Sequence, residues 1–298
     1  MRRIIGLLTA IMSVLGGAAA QQRHDEAGWS AWRAGIDREY AEDRLAILKA
    51  ADARYLKPGE TVWLVARDDG TLKLTLEASG DDILSVAHEN ETATLTRNGR
   101  GFDLLAFLRE AGRYPISGRY DLVAGRRQIE KNIMGVRVVL FDQESPAATA
   151  FVATKWFDYD PGLVLRSAFH PAAEMTPRDI QTERGLWTTF YLAGAARVKM
   201  GAVEFELPLY AITNDPASVD YLFVSFTDET TGMESYSVGR YLEFRDFGRF
   251  PPKRFTVDFN RAYNPYCARS PHYSCPLALV HAPVALRAGE KPPELLTP

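Results

Sequence analysis

From Thr61 onward the apolar residues of this chain alternate with polar ones, and that period of two is the tightest constraint on its fold. TVWLVA, TLKLTLE, ILSVA and TATLTR are short alternating runs, punctuated by Asp68-Asp69-Gly70, Ser79-Gly80-Asp81 and Asn98-Gly99. GRYDLVA, VRVVLFD, AFVATKWF, LVLRSAFH, RDIQTER, TTFYLAGAARVKM, AVEFELPLYAI, YLFVSFTD, ESYSVGRYLEF and RFTVDFN continue the series. Alternation places successive side chains on opposite faces of a strand, and Gly, Asn and Asp supply the turns between strands. Many short strands with regular turns predict an all-β, antiparallel fold, a sandwich or barrel, rather than a parallel α/β sheet.

Upstream the period is helical. Trp29, Trp32, Ile36, Tyr40 and Ile47 recur at 3.6-residue spacing among charged residues. They predict an N-terminal amphipathic helix over 30–55, with Ser30 as N-cap and Pro58-Gly59 as the stop. The aromatic stripe is expected to pack on the protein's own sheet. Phe102 to Arg109 reads as a helical turn or an exposed apolar loop. Ahead of the helix, Arg2 and Arg3 precede an apolar run from Ile4 to Leu15, and Ala18 and Ala20 form an A-x-A pattern. This reads as a signal peptide over 1–20, and it implies a periplasmic or secreted protein with no membrane span after cleavage. The expected division is a helix plus small β-unit over 21–100 and a main β-domain over 101–298. The loop from Gln143 to Pro146 is a second place to divide the chain.

The net charge of −3 argues against a general polyanion binder, so no nucleic-acid partner is expected. The chain carries no G-x-S-x-G, P-loop, G-x-G-x-x-G, H-E-x-x-H or EF-hand pattern, and no cofactor is expected.

Unusual residues are densest between Phe226 and Glu290. A hairpin is expected there, with Glu234 to Phe244 as its return strand. Period two puts Glu234, Tyr236 and Arg240 on one face. In the strand beginning at Phe255, Phe255, Val257 and Phe259 point inward, and Thr256, Asp258 and Asn260 outward. If the polar faces coincide, Arg240 and Asp258 share one side of a sheet. Arg240 then offers a planar fork for a carboxylate or phosphate, and Asp258 orients it or acts as a base. The candidate ligand-binding residues are Asp228, Glu234, Tyr236, Arg240, Asp258, Asn260, Arg261 and Asn264. Against this stand a cross-strand Arg–Asp pair on a half-buried sheet face, and Asn and Asp as turn formers.

Cys267 and Cys275 are the two cysteines, and in an oxidising compartment such a pair is most simply a disulfide. With His272 and His281 they also make a zinc-type ligand set, but no C-x-x-C is present and no metal is expected.

SFTDETTGMESYSVGRYLEF, VDFNRAYNPYC, CPL and AGEK together resemble the domain of unknown function 1684 family. GVRVVLFDQESPAATAF, KWFDYDP and FELPLYAI are similar to its middle section, so the resemblance runs from about residue 100 to the end. It implies no established reaction or ligand. It points to Phe226, Asp228, Thr230, Gly232, Glu234, Tyr236, Gly239, Arg240, Asp258, Asn260, Arg261, Tyr263, Asn264, Cys267 and Cys275. It does not point to His272 or His281. Family members have a second proline where this chain has Tyr266, and prolines where it has Leu277-Ala278-Leu279. The expected function is binding of a small anionic or polar ligand beside the C-terminal hairpin. The alternatives are a periplasmic hydrolase with Asp258 or Glu234 as base, and a structural or interaction protein of the envelope.

Overall fold

The computed structural model describes residues 23–245 and 247–293. The expected signal peptide lies outside them. Helix α1 spans Glu26–Asp37, and its N-cap is Asp25, whose side chain accepts from the Gly28 amide at 2.8 Å. The helix therefore begins earlier than the Ser30 cap expected from sequence. It also ends earlier, passing through a π turn at Arg38–Glu42 and a 3₁₀ turn at Ile47–Lys49. What was expected to be its last turns is strand β1, Ala50–Leu56. The segment is alanine-rich, which favours a helix locally, but its pairing with a neighbouring strand prevails over that propensity.

The expected run of strands follows: β2 Thr61–Ala66, β3 Leu72–Thr75, β4 Leu84–Glu89, β5 Thr92–Arg97 and β6 Arg100–Asp103. Helix α2, Leu104–Ala111, then leads to β7 Tyr114–Pro115, β8 Tyr120–Glu130 and β9 Ile133–Asp142. Strands β3-β2-β4-β5-β6 form one 5-stranded sheet and β1-β9-β8-β7 a 4-stranded one. The inward residues of both sheets, Val62, Leu64, Val86 and Leu95 against Leu122, Val136, Val138 and Leu140, make one apolar core. Each such side chain contributes about 1.5–3 kcal/mol by leaving water. This core takes in side chains from both sides of residue 100.

The stretch AFVATKWF is not a strand; within it Trp156 makes one isolated bridge, to Glu290. Strands β10 Val164–Pro171, β11 Pro177–Gln181, β12 Trp187–Met200, β13 Val203–Ala211, β14 Leu222–Asp228, β15 Arg240–Phe244, β16 Phe255–Asp258 and β17 Val280–Ala282 complete the chain. They form an 8-stranded sheet in the order β15-β14-β13-β12-β10-β16, with β11 on β12 and β17 parallel to β14. Its end strands approach each other, Phe244 on β15 lying 4.7 Å from Phe255 on β16, and the sheet curls into a half barrel. The concave face holds Leu207, Leu209, Leu222, Val224, Phe226, Leu242 and Val257.

Helix α1 packs on this second unit. Trp29 Nε1 donates to the Asn260 carbonyl at 2.8 Å, Trp32 meets Trp156 edge-on at 5.2 Å, and Tyr40 is fully buried. The aromatic stripe thus covers the protein's own surface. Among the described residues no helix is long and apolar enough to cross a membrane.

Candidate functional site

Arg240 is 1 % exposed, and its environment is set by the turn before it. The expected return strand starts only at Arg240. Gly239 has φ +99°, and a Cβ there would lie 2.5 Å from the Phe226 carbonyl, so a strand cannot run through it. Arg240 Nη2 donates to Asp228 Oδ2 at 2.6 Å and to the Leu286 carbonyl at 2.9 Å, and Nη1 donates to the Ala288 carbonyl. Asp228 Oδ1 accepts from the Thr230 amide at 2.8 Å and the Thr230 hydroxyl at 2.6 Å. Burial lowers the Arg240 pKa, against the pull of Asp228.

Asp258 is not the partner of Arg240. Arg240 stands opposite Phe226 in the β14–β15 register, and Phe226 belongs to the concave core with Val257. Asp258 alternates with Val257 and so leaves the other face of the sheet. The expected shared side is thereby corrected. Asp258 Oδ2 lies 3.0 Å from His24 Nδ1 and accepts from Arg261 Nε at 3.2 Å. Its Oδ1 accepts from Asn260 Nδ2 at 3.0 Å. Asn260 also exchanges two hydrogen bonds with the Asp160 backbone, both at 2.9 Å. Arg261 Nη2 donates to the Arg23 carbonyl at 2.6 Å. These residues tie the N-terminal segment and the loop at Asp160 to β16.

A third buried cluster centres on Glu290, which was not among the expected site residues. Glu290 Oε2 accepts from the Tyr40 hydroxyl at 2.9 Å and the Asn264 amide at 2.7 Å, and Oε1 accepts from Arg269 Nε at 3.1 Å. Burial raises its pKa, against the pull of Arg269. Asn264 Nδ2 donates to the Lys291 carbonyl at 2.8 Å. Glu234 faces solvent in a bidentate pair with Arg287, Oε2 to Nε at 2.8 Å and Oε1 to Nη2 at 2.7 Å. Tyr236 lies beside Cys267, and burial pushes its pKa up to about 12. The eight expected ligand residues are thus distributed over several networks, and Asp228, Arg240 and Asp258 have internal partners.

Cys267 and Cys275 are free thiols, so the expected disulfide is not formed; instead the Cys267 amide donates to Cys275 Sγ at 3.3 Å. His281 lies between Thr227 and Glu229, away from the thiols. Among the described residues no three His, Cys, Asp or Glu side chains are grouped to hold a metal ion.

An uncompensated charge appears elsewhere, at the junction of the two units. Arg127 on β8 stands opposite Gly135, and Arg137 on β9 opposite Gly125, so the two guanidinium groups are diagonal neighbours on one face. Arg137 Nη2 donates to the His272 carbonyl at 2.9 Å, and the group stacks on Tyr273 at 4.4 Å. Arg127 has no hydrogen bond or ion pair among the described residues. Burial lowers its pKa, and the like charge of Arg137 lowers it further. Arg127 lines a recess of about 270 Å³, open mouth included, with Gln128, Thr182, Trp187, Thr188 and Ser274. The Ser274 hydroxyl donates to that of Thr182 at 2.7 Å. Arg126-Arg127 in a strand is a weak signal in sequence, because whether a strand arginine finds a carboxylate depends on what packs over it.

Glu39, on the π turn, accepts from the Tyr266 hydroxyl, yet burial raises its pKa to about 7, and nearby Glu243 adds to the rise. A carboxyl raised above its ordinary 4.5 holds its proton more tightly in the fold than in the unfolded chain. Its stabilising contribution is complete below pH 4.5 and is lost as pH rises through 7. Glu39→Gln should therefore stabilise the protein at pH 8 by on the order of 2 kcal/mol and change little at pH 4.5. Urea unfolding at the two pH values measures this; equal effects at both would place Glu39 in an ordinary solvated setting.

The geometry defines a class: an antiparallel β protein whose half barrel is closed by buried ion pairs and covered by an N-terminal helix. Residues 149–291 match the family described as protein of unknown function (DUF1684). The match takes in the half barrel, the loop that carries Cys267 and Cys275 (residues 261–275, the Cys loop) and Glu290. An uncharacterized protein of Haloarcula marismortui, solved by solution NMR, is similar at 29% identity over 48% of this chain and 78% of its own, with TM-score 0.39. No curated protein matches the chain.

Proposed function

We propose that the protein binds a small anionic ligand, and that the ligand's charged end enters the recess between β8 and the Cys loop rather than a pocket beside the C-terminal hairpin. One observation carries this reading: Arg127 lines the recess without a counter-charge among the described residues, next to a second arginine. A guanidinium in such a place gains most from a carboxylate, sulfate or phosphate group, which it meets in bidentate geometry. Hydroxyls of Thr182, Thr188 and Ser274 and the Trp187 ring complete the wall. The recess is narrow and opens to solvent, so it would meet only the charged end of a ligand. The proposal includes export, to the periplasm or beyond, on the strength of the pattern from Arg2 to Ala20.

A second reading applies to the C-terminal cluster. The internal pairing of Asp228, Arg240, Asp258 and Glu290 favours a scaffold role for these residues and gives Asp258 no opening as a hydrolytic base.

Thermal unfolding with phosphate, sulfate, acetate and citrate, on the wild type and Arg127→Ala, tests the ligand reading. Saturable stabilisation is expected for the wild type, about 2.7 kcal/mol at a hundredfold excess over Kd, and none for the variant. An unresponsive wild type, or an equal response in both proteins, would overturn it.

A further inference from the structure

The two thiols occupy unequal positions. Cys275 is buried, 6 % exposed, and its backbone is fixed: its amide donates to Glu183 Oε2 at 2.7 Å and its carbonyl accepts from the Glu183 amide at 3.0 Å. The next residue is fixed as well, since the Tyr241 hydroxyl donates to the Pro276 carbonyl at 2.5 Å. Cys267 is only half-buried and sits in the short turn Tyr266–Ala268, beside the Tyr236 ring. The two side chains are in contact, close enough for one thiol to hydrogen-bond the other.

The polar surroundings are unequal in the same direction. Cys275 Sγ accepts from the Cys267 amide at 3.3 Å. While both are reduced, the Cys267 thiol donates to Cys275, which lowers the Cys275 pKa and raises that of Cys267; the bond is lost once Cys267 enters a disulfide. The charge of Arg127 acts on Cys275 in the same sense as those hydrogen bonds. A sulfur with a lower pKa is the better leaving group in exchange, and the sulfur attacked is the one a reagent can reach. Here the reachable sulfur is Cys267, and Cys275 departs as a thiolate that keeps the Cys267 amide as donor and the charge of Arg127 nearby.

We propose that Cys267 and Cys275 form a thiol–disulfide exchange site whose substrates are low-molecular-weight thiols and their disulfides. In the oxidised pair, an external thiolate attacks Cys267 Sγ. The external sulfur–Cys267 bond forms, the Cys267–Cys275 bond breaks, and Cys275 departs with the electron pair as a thiolate. A second external thiolate then attacks the external sulfur of the mixed disulfide and releases Cys267, which takes a proton from water, as Cys275 does. Two external thiols are oxidised to one disulfide while two protein thiols are formed. With an external disulfide as oxidant the same steps run backwards, and Cys275 resolves the mixed disulfide on Cys267. This activity goes beyond ligand binding and does not depend on the recess being occupied.

The experiment treats the folded, reduced full chain with glutathione disulfide and reads intact mass and peptide maps. Cys275→Ser should accumulate a mixed disulfide on Cys267. Cys267→Ser should leave Cys275 unmodified while folded and modified in denaturant, with rates differing by at least about tenfold between the two variants. The wild type should lose two hydrogens and retain no adduct. It needs no substitution, so the test survives if a variant does not fold. A folded Cys275→Ser variant without adduct, equal labelling of both single-cysteine variants, or a wild type that keeps a stable adduct would each overturn the proposal.

Discussion

Arg240→Ala will destabilise the fold by about 3–5 kcal/mol, the largest effect expected of any single polar substitution in the half barrel. The alanine leaves Asp228 buried as a carboxylate without its counter-charge, and it leaves the Leu286 and Ala288 carbonyls without a donor. Thr230 still donates to Asp228, which is too little to replace an ion pair in a site closed to water. The double variant Arg240→Met with Asp228→Leu should recover much of the loss, because it removes both charges together and keeps the volume filled. Urea unfolding of the three proteins measures both effects. A loss below about 1 kcal/mol in the single variant would mean that the carboxylate is solvated, and the burial of this pair would need revision.

Glu290→Ala is the second large effect, about 3 kcal/mol, and it has a distinctive readout. The change strands the Arg269 guanidinium and removes the acceptor of both the Tyr40 hydroxyl and the Asn264 amide. Tyr40 lies just beyond α1, whereas Asn264 and Arg269 lie on the Cys loop, so one carboxylate joins three segments distant in sequence. Amide hydrogen exchange should accelerate first in residues 26–42, before the strands of the half barrel respond. Uniform acceleration throughout the chain would show that α1 is held by its apolar contacts alone. Gly289, with φ +77° and the Ala262 carbonyl 2.3 Å from where its Cβ would lie, lets the chain approach closely enough to deliver Glu290.

The strands were legible in sequence because alternation is local. TVWLVA, ILSVA, TATLTR and YLFVSFTD became β2, β4, β5 and β14 with small shifts at the ends. The errors arose where a local signal met a longer-range demand. The alanines at 50, 51 and 53 favour a helix, but the segment is needed as the edge strand beside β9. The run ESYSVGRYLEF keeps its alternation through a glycine whose backbone cannot be extended.

The candidate site was legible only as a list of residues. Asp228, Arg240, Asp258, Asn260 and Asn264 are all buried, as residues with specific partners should be, but their pairing was not readable. Strands β15 and β16 lie at opposite ends of the 8-stranded sheet, and a one-residue difference in phase decides which face a side chain leaves. Arg127 was missed for the related reason that the lack of a partner is a property of the packed neighbours.

Period and turn chemistry, which act over a few residues, determined that this chain is an antiparallel β protein with an amphipathic helix at its start. The curl of the half barrel, the closure of three ion-pair networks, the arginine at the junction that has no partner among the described residues and the contact between two unequal thiols were decided only in three dimensions. Charges and sulfurs acquire their chemistry from burial and from the neighbours that burial brings to them, and both depend on contacts across the whole chain.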